Sequence, residues 1–202
     1  TGLEETNQSV SKVDIAGATI HGNVYGGANT AVLYGTVDLN IGAFDDSLIT
    51  SPIRIDGTVF GGGEANASGD PNYDYSFISV TKGIDIQIDG ANYDEFYIKG
   101  SIFGSGNASS TEGYSYIDIS NYGTFENYQE NISIQRADIV TLKNSVIKLA
   151  GTTDRTNEFS TTEFSISRVK ELKIANDSTL FLDNGTNLLE KWNSLKIDGD
   201  QE

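Results

Sequence analysis

Gly22-Asn23-Val24-Tyr25-Gly26-Gly27, Gly57-Thr58-Val59-Phe60-Gly61-Gly62 and Gly100-Ser101-Ile102-Phe103-Gly104-Ser105 are three copies of one pattern. Each reads glycine, a variable residue, a β-branched residue, an aromatic ring, then glycine again. The copies begin 35 and 43 residues apart, and small polar residues follow each one, as in Ala28-Asn29, Ala65-Asn66 and Asn107-Ala108. A block recurring at such intervals marks a chain made by repeating one unit. A unit of this size cannot bury its apolar side alone, and stacking lets neighbours complete a continuous core. Stacked strands lie about 4.8 Å apart. Tyr25, Phe60 and Phe103 are therefore expected to form an inward aromatic ladder. Gly22, Gly57 and Gly100 are expected at chain corners with positive φ, where a Cβ is penalised.

Outward from these blocks, short alternating runs fill the chain: Val37-x-Leu39-x-Ile41, Ile84-x-Ile86-x-Ile88, Ile117-x-Ile119, Ile132-x-Ile134 and Leu172-x-Ile174. Period two predicts strands with one buried face. Past residue 135 a second register repeats. Asn144 to Gly151 aligns with Asp177 to Gly185 at an offset of 33, and Val169-x-x-Leu172-x-Ile174 aligns with Trp192-x-x-Leu195-x-Ile197 at an offset of 23. An offset near 23 suits one coil of a solenoid; 33 to 43 suits a coil carrying a long loop, or two short coils. Only 44–49 and 186–194 have the composition of a short helix, which is too little to cover a parallel sheet.

The expected fold is all-β, a right-handed parallel β-helix or solenoid with long loops, filling 1–202 as one domain. Residues 1–135 supply Gly-rich coils and 136–202 Leu/Ile coils. An antiparallel β-sandwich also has short, evenly spaced strands, but it does not call for one block three times. A leucine-rich-repeat-like C-terminal part fits 169–174 and 192–197 but finds no Leu consensus before residue 135.

Composition narrows function by exclusion. Thirteen Lys plus Arg stand against 29 Asp plus Glu, a net charge of −16. Lys12, Arg54, Lys82 and Lys99 are the only basic residues in the first hundred. Phosphate neutralisation needs clustered cations, so a nucleic-acid partner is excluded. With no Cys there is neither disulfide nor thiolate chemistry, and a single histidine, His21, leaves no ordinary zinc ligand set. No apolar run approaches the roughly 18 residues a membrane helix needs, so no membrane insertion is expected in this segment. The chain holds no Met and starts Thr-Gly-Leu, which reads as a piece of a longer protein, with export and anchoring signals elsewhere.

The blocks Gly22 to Asn29, Gly57 to Asn66 and Gly100 to Ala108 resemble those of parallel β-helix regions in large, adhesin-like surface proteins of Gram-positive, gut-type bacteria. The "N-S-V-I-K-L" and "S-T-L-F-L" stretches behind them resemble the same family more weakly. The resemblance implies an extracellular, cell-surface location and a non-catalytic role in binding or as a stalk. Its partners would be a host glycan or protein, or neighbouring domains of the same surface protein.

Candidate sites are few. The Gly-rich blocks lack the Lys-Ser/Thr that a phosphate loop requires, since Gly63 is followed by Glu64. No cofactor is called for, save a structural Ca²⁺ for which Asp70, Asn72 and Asp74 have suitable oxygens in a tight loop. Tyr73, Tyr75, Tyr93, Tyr114 and Tyr116 offer stacking area with a polar handle and are the candidate ligand-binding residues. They belong to a wider set of tyrosines, with Tyr34, Tyr97, Tyr122 and Tyr128, taken to be exposed. Binding is expected on the loops 62–76, 90–98, 104–114 and 121–131, carried by a rigid scaffold. The alternative is a pectate-lyase-like or glycoside-hydrolase-like enzyme using an acidic groove and an arginine, with Arg54 beside Asp56 or Arg136 near Asp138 as starting points. His21, before a glycine, reads as a surface residue rather than a member of a Ser-His-Asp triad. No residue is assigned a catalytic role.

Overall fold

The computed structural model describes residues 9–28, 31–42, 52–63, 78–91, 93, 95–106, 109–123, 129–149, 166–167, 169–175, 177–181 and 194–198. Among these there are twenty strands and no helix, and every strand pairing is parallel. The largest sheet holds β1 (Ser9–Ile15), β4 (Gly35–Gly42), β8 (Gly83–Asp89), β12 (Tyr114–Ser120), β15 (Ile139–Lys143), β18 (Glu171–Ala175) and β20 (Ser194–Asp198), in that spatial order. A five-stranded sheet holds β3 (Val24–Tyr25), β6 (Val59–Phe60), β10 (Ile102–Phe103), β14 (Ile134–Gln135) and β17 (Ile166–Ser167). Two three-stranded sheets hold β2 (Ala18–Ile20), β5 (Ile53–Ile55) and β9 (Phe96–Ile98), then β13 (Gln129–Ile132), β16 (Val146–Leu149) and β19 (Thr179–Phe181). A two-stranded pair joins β7 (Ile78–Val80) to β11 (Ser110–Thr111).

The chain visits these sheets in rotation: seven-stranded, three-stranded, five-stranded, in two passes also the two-stranded pair (β7 after β6, β11 after β10), then the seven-stranded sheet again, one strand further along. Neighbours in the large sheet are therefore separated by a whole pass of chain. Ser9 pairs with Gly35, Thr36 with Gly83, Gly83 with Tyr114, Tyr116 with Ile139, Ile139 with Glu171 and Glu171 with Ser194. Parallel pairing throughout removes the antiparallel sandwich, whose hairpins would join neighbours through a few residues. It also shows that the 33- to 43-residue offsets are single passes. Val24 pairs with Val59 and Val59 with Ile102, while Val146 pairs with Thr179.

Alternation along each strand makes the core. Leu39, Ile86, Ile117, Val140 and Leu172 are successive partners in one column, and Ile41, Ile88, Ile119 and Leu142 in the next; all are buried. Ile53, Ile55, Ile98, Val59, Ile102 and Ile134 close the core from the other sheets. Each such aliphatic side chain removed from water contributes about 1.5–3 kcal/mol, and β-branched residues suit the pleated surface.

The repeated blocks sit in register but use their residues differently from the expectation. Tyr25, Phe60 and Phe103 do stack, with ring centroids 5.1 and 5.0 Å apart. Their neighbours Val24, Val59 and Ile102 belong to the main core, and the rings do not. Adjacent strand residues point to opposite faces, so the ladder lies on the outward side of the sheet, with Phe60 and Phe103 buried there. Its fourth rung is Gln135, a buried polar residue whose amide donates to Ser133.

The block glycines are not in the left-handed region; close approach is what requires Gly57, Gly61 and Gly100, while Gly22 has nothing within 4 Å of a Cβ. A Cβ on Gly57 would lie 2.3 Å from Gly22 O, one on Gly100 2.4 Å from Gly57 O, and one on Gly61 2.5 Å from both Gly104 O and Ile84 Cγ2. Left-handed backbone is found instead at Asn121, Arg136, Asn144 and Asp177, with φ between 46° and 54°. Asn and Asp tolerate that conformation better than other side chains.

Three further expectations change. Ile132 and Ile134 end one strand and begin another. The segments 90–98, 104–114 and 121–131, expected as loops, contain β9, β11, the start of β12 and most of β13. The candidate helices at 44–49 and 186–193 lie outside the described residues, and Ser194 begins β20.

Candidate binding face

On β12 the residues Ser115, Ile117 and Ile119 are buried. Alternation therefore turns Tyr114, Tyr116 and Asp118 to the outer face of the seven-stranded sheet. Tyr114 and Tyr116 are 38% and 37% exposed, and their rings stack with centroids 4.7 Å apart and planes at 28°. Gly83 makes the bed for this pair: a Cβ there would lie 2.5 Å from Tyr114 Cε1.

Register sets carboxylates beside the rings. Tyr116 pairs with Asp85, which pairs with Asp38 on the strand beyond; Asp118 pairs with Gln87. Like charges directly opposite in a sheet are unfavourable. The Asp85 carboxyl accordingly sits above the usual aspartate range, raised first by burial and then by the charges of Asp118 and Asp38. Val10, 65% exposed, pairs with Thr36, which pairs with Gly83, which pairs with Tyr114. Tyr34, 71% exposed, immediately precedes β4. The exposed large hydrophobic side chains of the described residues thus gather at the N-terminal end of one sheet. Val10 lies three rungs from Tyr114, and the two stacked rings are the pair in direct contact.

The other candidates divide. Tyr93 is part-buried, packs edge-on against Phe96 at 5.5 Å and donates its hydroxyl hydrogen to Ala16 O at 2.5 Å. It is a structural residue and leaves the binding set. Tyr122, expected on the surface, is fully buried; burial pushes its hydroxyl far up, and that oxygen accepts from Ile98 N at 2.9 Å. Strand β9 is the last described strand of its sheet, and Tyr122 supplies an acceptor to Ile98 N on its outer side. Tyr73, Tyr75, Tyr128 and the oxygen-rich loop of Asp70, Asn72 and Asp74 lie outside the described residues. Among those described, no three His, Cys, Asp or Glu side chains are placed to hold a metal.

His21 is exposed, and its Nδ1 lies 2.7 Å from Asp56 Oδ2. That hydrogen bond is the main cause holding the Asp56 carboxyl below its usual range. Arg54 pairs with both oxygens of Glu95, with Nε 2.7 Å from Oε1. Arg136 donates to Gly106 O at 2.9 Å and to Ser109 O, tying down the segment before β12. Asp138 accepts from Ser115 N at 2.9 Å and pairs with Lys170. These groups serve four separate structural contacts, and neither arginine stands beside Asp38, Asp85 and Asp118.

Sequence reasoning singled out Tyr114 and Tyr116, with Tyr114 at the end of an expected loop, and it missed Asp38, Asp85 and Asp118. The signal was present: period two through 114–120 sets two tyrosines and an aspartate on one face. The pairing of that strand with 83–89 is what alternation alone does not specify. Comparison with family models, with curated proteins and with solved structures finds no match for this chain.

Proposed function

We propose that the chain is a right-handed parallel β-solenoid segment of a bacterial cell-surface protein, extracellular and non-catalytic, which meets its ligand on the outer face of the seven-stranded sheet. Right-handedness follows the strong preference of parallel crossovers for that hand. The adhesin-like placement rests on the resemblance of the three glycine–aromatic blocks. The observation that carries a binding role is the stacked, exposed Tyr114–Tyr116 pair, held rigidly on a strand with partners on both sides. A chain acting purely as a stalk has no use for paired exposed rings beside an aspartate, Asp85, that feels two further carboxylates. The ligand class is a host glycan or protein, or a neighbouring domain of the same surface protein.

A screen of the full chain against a glycan array and a panel of host surface proteins tests this. The expected result is capture of one ligand class, abolished in the Tyr114→Ala/Tyr116→Ala double variant while cooperative unfolding is retained. Silence across the array and panel would reduce the protein to a spacer. Unsaturated sugar products on incubation with polysaccharide and Ca²⁺ would overturn the non-catalytic assignment.

A further inference from the structure

The outer face of the seven-stranded sheet carries information about its occupant as well as its existence. Its inner strands have partners on both sides, so a peptide has no free backbone edge to extend there. What the face presents is side chains: two stacked phenol rings, with Asp85, Asp38 and Asp118 within the neighbouring rungs. The rings offer an apolar π surface, which binds the C–H face of a sugar and also attracts a cation. Lys12 pairs with Asp38 in register and bridges to Asp14, yet Asp85 still feels the charges of both Asp118 and Asp38, so an ammonium group beside Asp85 relieves an existing repulsion. The acidity of the whole chain, net −16, favours approach of the same charge.

Resting on the binding role proposed above, we infer that this face takes a sugar polymer with free amino groups, a de-N-acetylated hexosamine chain. Its ring faces lie on Tyr114 and Tyr116 and its ammonium groups on Asp85, Asp38 and Asp118. A face built from successive rungs of one sheet suits an extended polymer that contacts several of them at once. A neutral or anionic glycan gains the stacking but leaves the carboxylates as they were. A short cationic peptide gains the charge contacts but, lacking rigid pyranose faces, orders more of its own chain on binding.

Calorimetric titration of the full chain with a β-1,4-linked glucosamine hexamer, its fully N-acetylated counterpart and hexalysine separates these cases. At about pH 5.5 ordinary aspartates, pKa about 3.9, remain ionised while sugar amines are protonated. The glucosamine hexamer is expected to bind at least ten-fold tighter than either of the others. Tyr116→Ala and Asp85→Asn should each weaken it several-fold. Asp56→Asn, which removes one carboxylate from a different sheet, should leave it unchanged. Equal binding of the N-acetylated hexamer, still lost with the tyrosines, overturns the cationic inference and leaves the binding role standing. Hexalysine binding as tightly as glucosamine overturns the sugar class. An effect of Asp56→Asn equal to that of Asp85→Asn shows net charge alone at work and also overturns it. Failure of all three probes together with a silent array removes the binding role itself.

Discussion

The passes that hold residues 22–105 and those that begin at 121 and run to 181 stack in the same parallel register, yet their corners are made by different chemistry. In the first region glycines lie against the backbone of the next pass: Gly57 over Gly22, Gly100 over Gly57, and Gly26 and Gly61 over Gly61 and Gly104. In the second, the position after Gln135 is Arg136 in the left-handed conformation, and the corners after β12 and β15 are Asn121 and Asn144. Asn144 Nδ2 donates to Asn121 Oδ1 at 2.7 Å, and Asn121 Nδ2 to Asp89 Oδ1 at 2.8 Å, a short amide ladder up the corner. One region turns by removing side chains, the other by choosing side chains that tolerate and bridge the turn. Both deliver the same aliphatic columns to the core, which is why one fold runs through two unlike halves of sequence.

Glycine substitutions should break the first region and spare its outermost copy. Gly61→Val places carbon against Gly104 O and Ile84, and overpacking against backbone should cost about 3 kcal/mol or more. Gly22, the matching site with nothing within 4 Å of a Cβ, should accept Ala within about 0.5 kcal/mol. Denaturant unfolding of both variants checks the contrast. If the core is common to both regions, Ile86→Ala and Leu142→Ala should lose similar amounts, about 2–5 kcal/mol each by the same measurement.

The second region should respond to its corners. Asn144→Ala forces a Cβ residue without a bridging amide into φ 46° and should cost about 1–2 kcal/mol. Asn144→Gly should recover the backbone part of that loss, while Gly22→Asn in the first region should gain nothing. Smaller still is the effect at Ser115, whose buried Oγ has no hydrogen-bond partner among the described residues. Ser115→Ala should fall within about 1 kcal/mol of the parent, on the stabilising side.

Asp85 tests the binding face through pH. A carboxyl with a raised folded-state pKa makes the native state bind more protons than the unfolded one, so stability falls as pH rises through the unfolded value. Asp85→Asn should therefore raise the melting temperature slightly at neutral pH. The gain should vanish once pH drops below the ordinary aspartate value of about 3.9.

Strands and their stacking were legible because both rest on local periodicity and on repetition, and the pairs Val24–Val59–Ile102, Val146–Thr179 and Leu172–Leu195 fall at the offsets the repeats display. The direction of the aromatic ladder was not. The block says that Val59 and Phe60 are both needed but not which one faces the core, and that is decided by Gly61 lying against Ile84. Tyr122 and Tyr93 were misjudged for a related reason. A tyrosine reads the same in sequence whether its hydroxyl meets water or, as here, Ile98 N and Ala16 O. The proposed binding face was half legible, since its two rings and Asp118 share one strand while Asp85 and Asp38 come from strands 31 and 78 residues earlier, Asp85 pairing with Tyr116 and Asp38 with Asp85.

Stacking of successive passes is tested most directly by distances up one outward column. Asp14, Asn40, Gln87, Asp118, Thr141, Lys173 and Lys196 are successive register partners. The absence of Cys lets spin labels be placed without background. Labels on the pairs 14 and 141, 14 and 173, and 14 and 196 should report separations near 19, 24 and 29 Å, growing by about 4.8 Å per rung. Distances that fail to rise in that order would contradict parallel stacking and, with it, the face on which Tyr114 and Tyr116 stand.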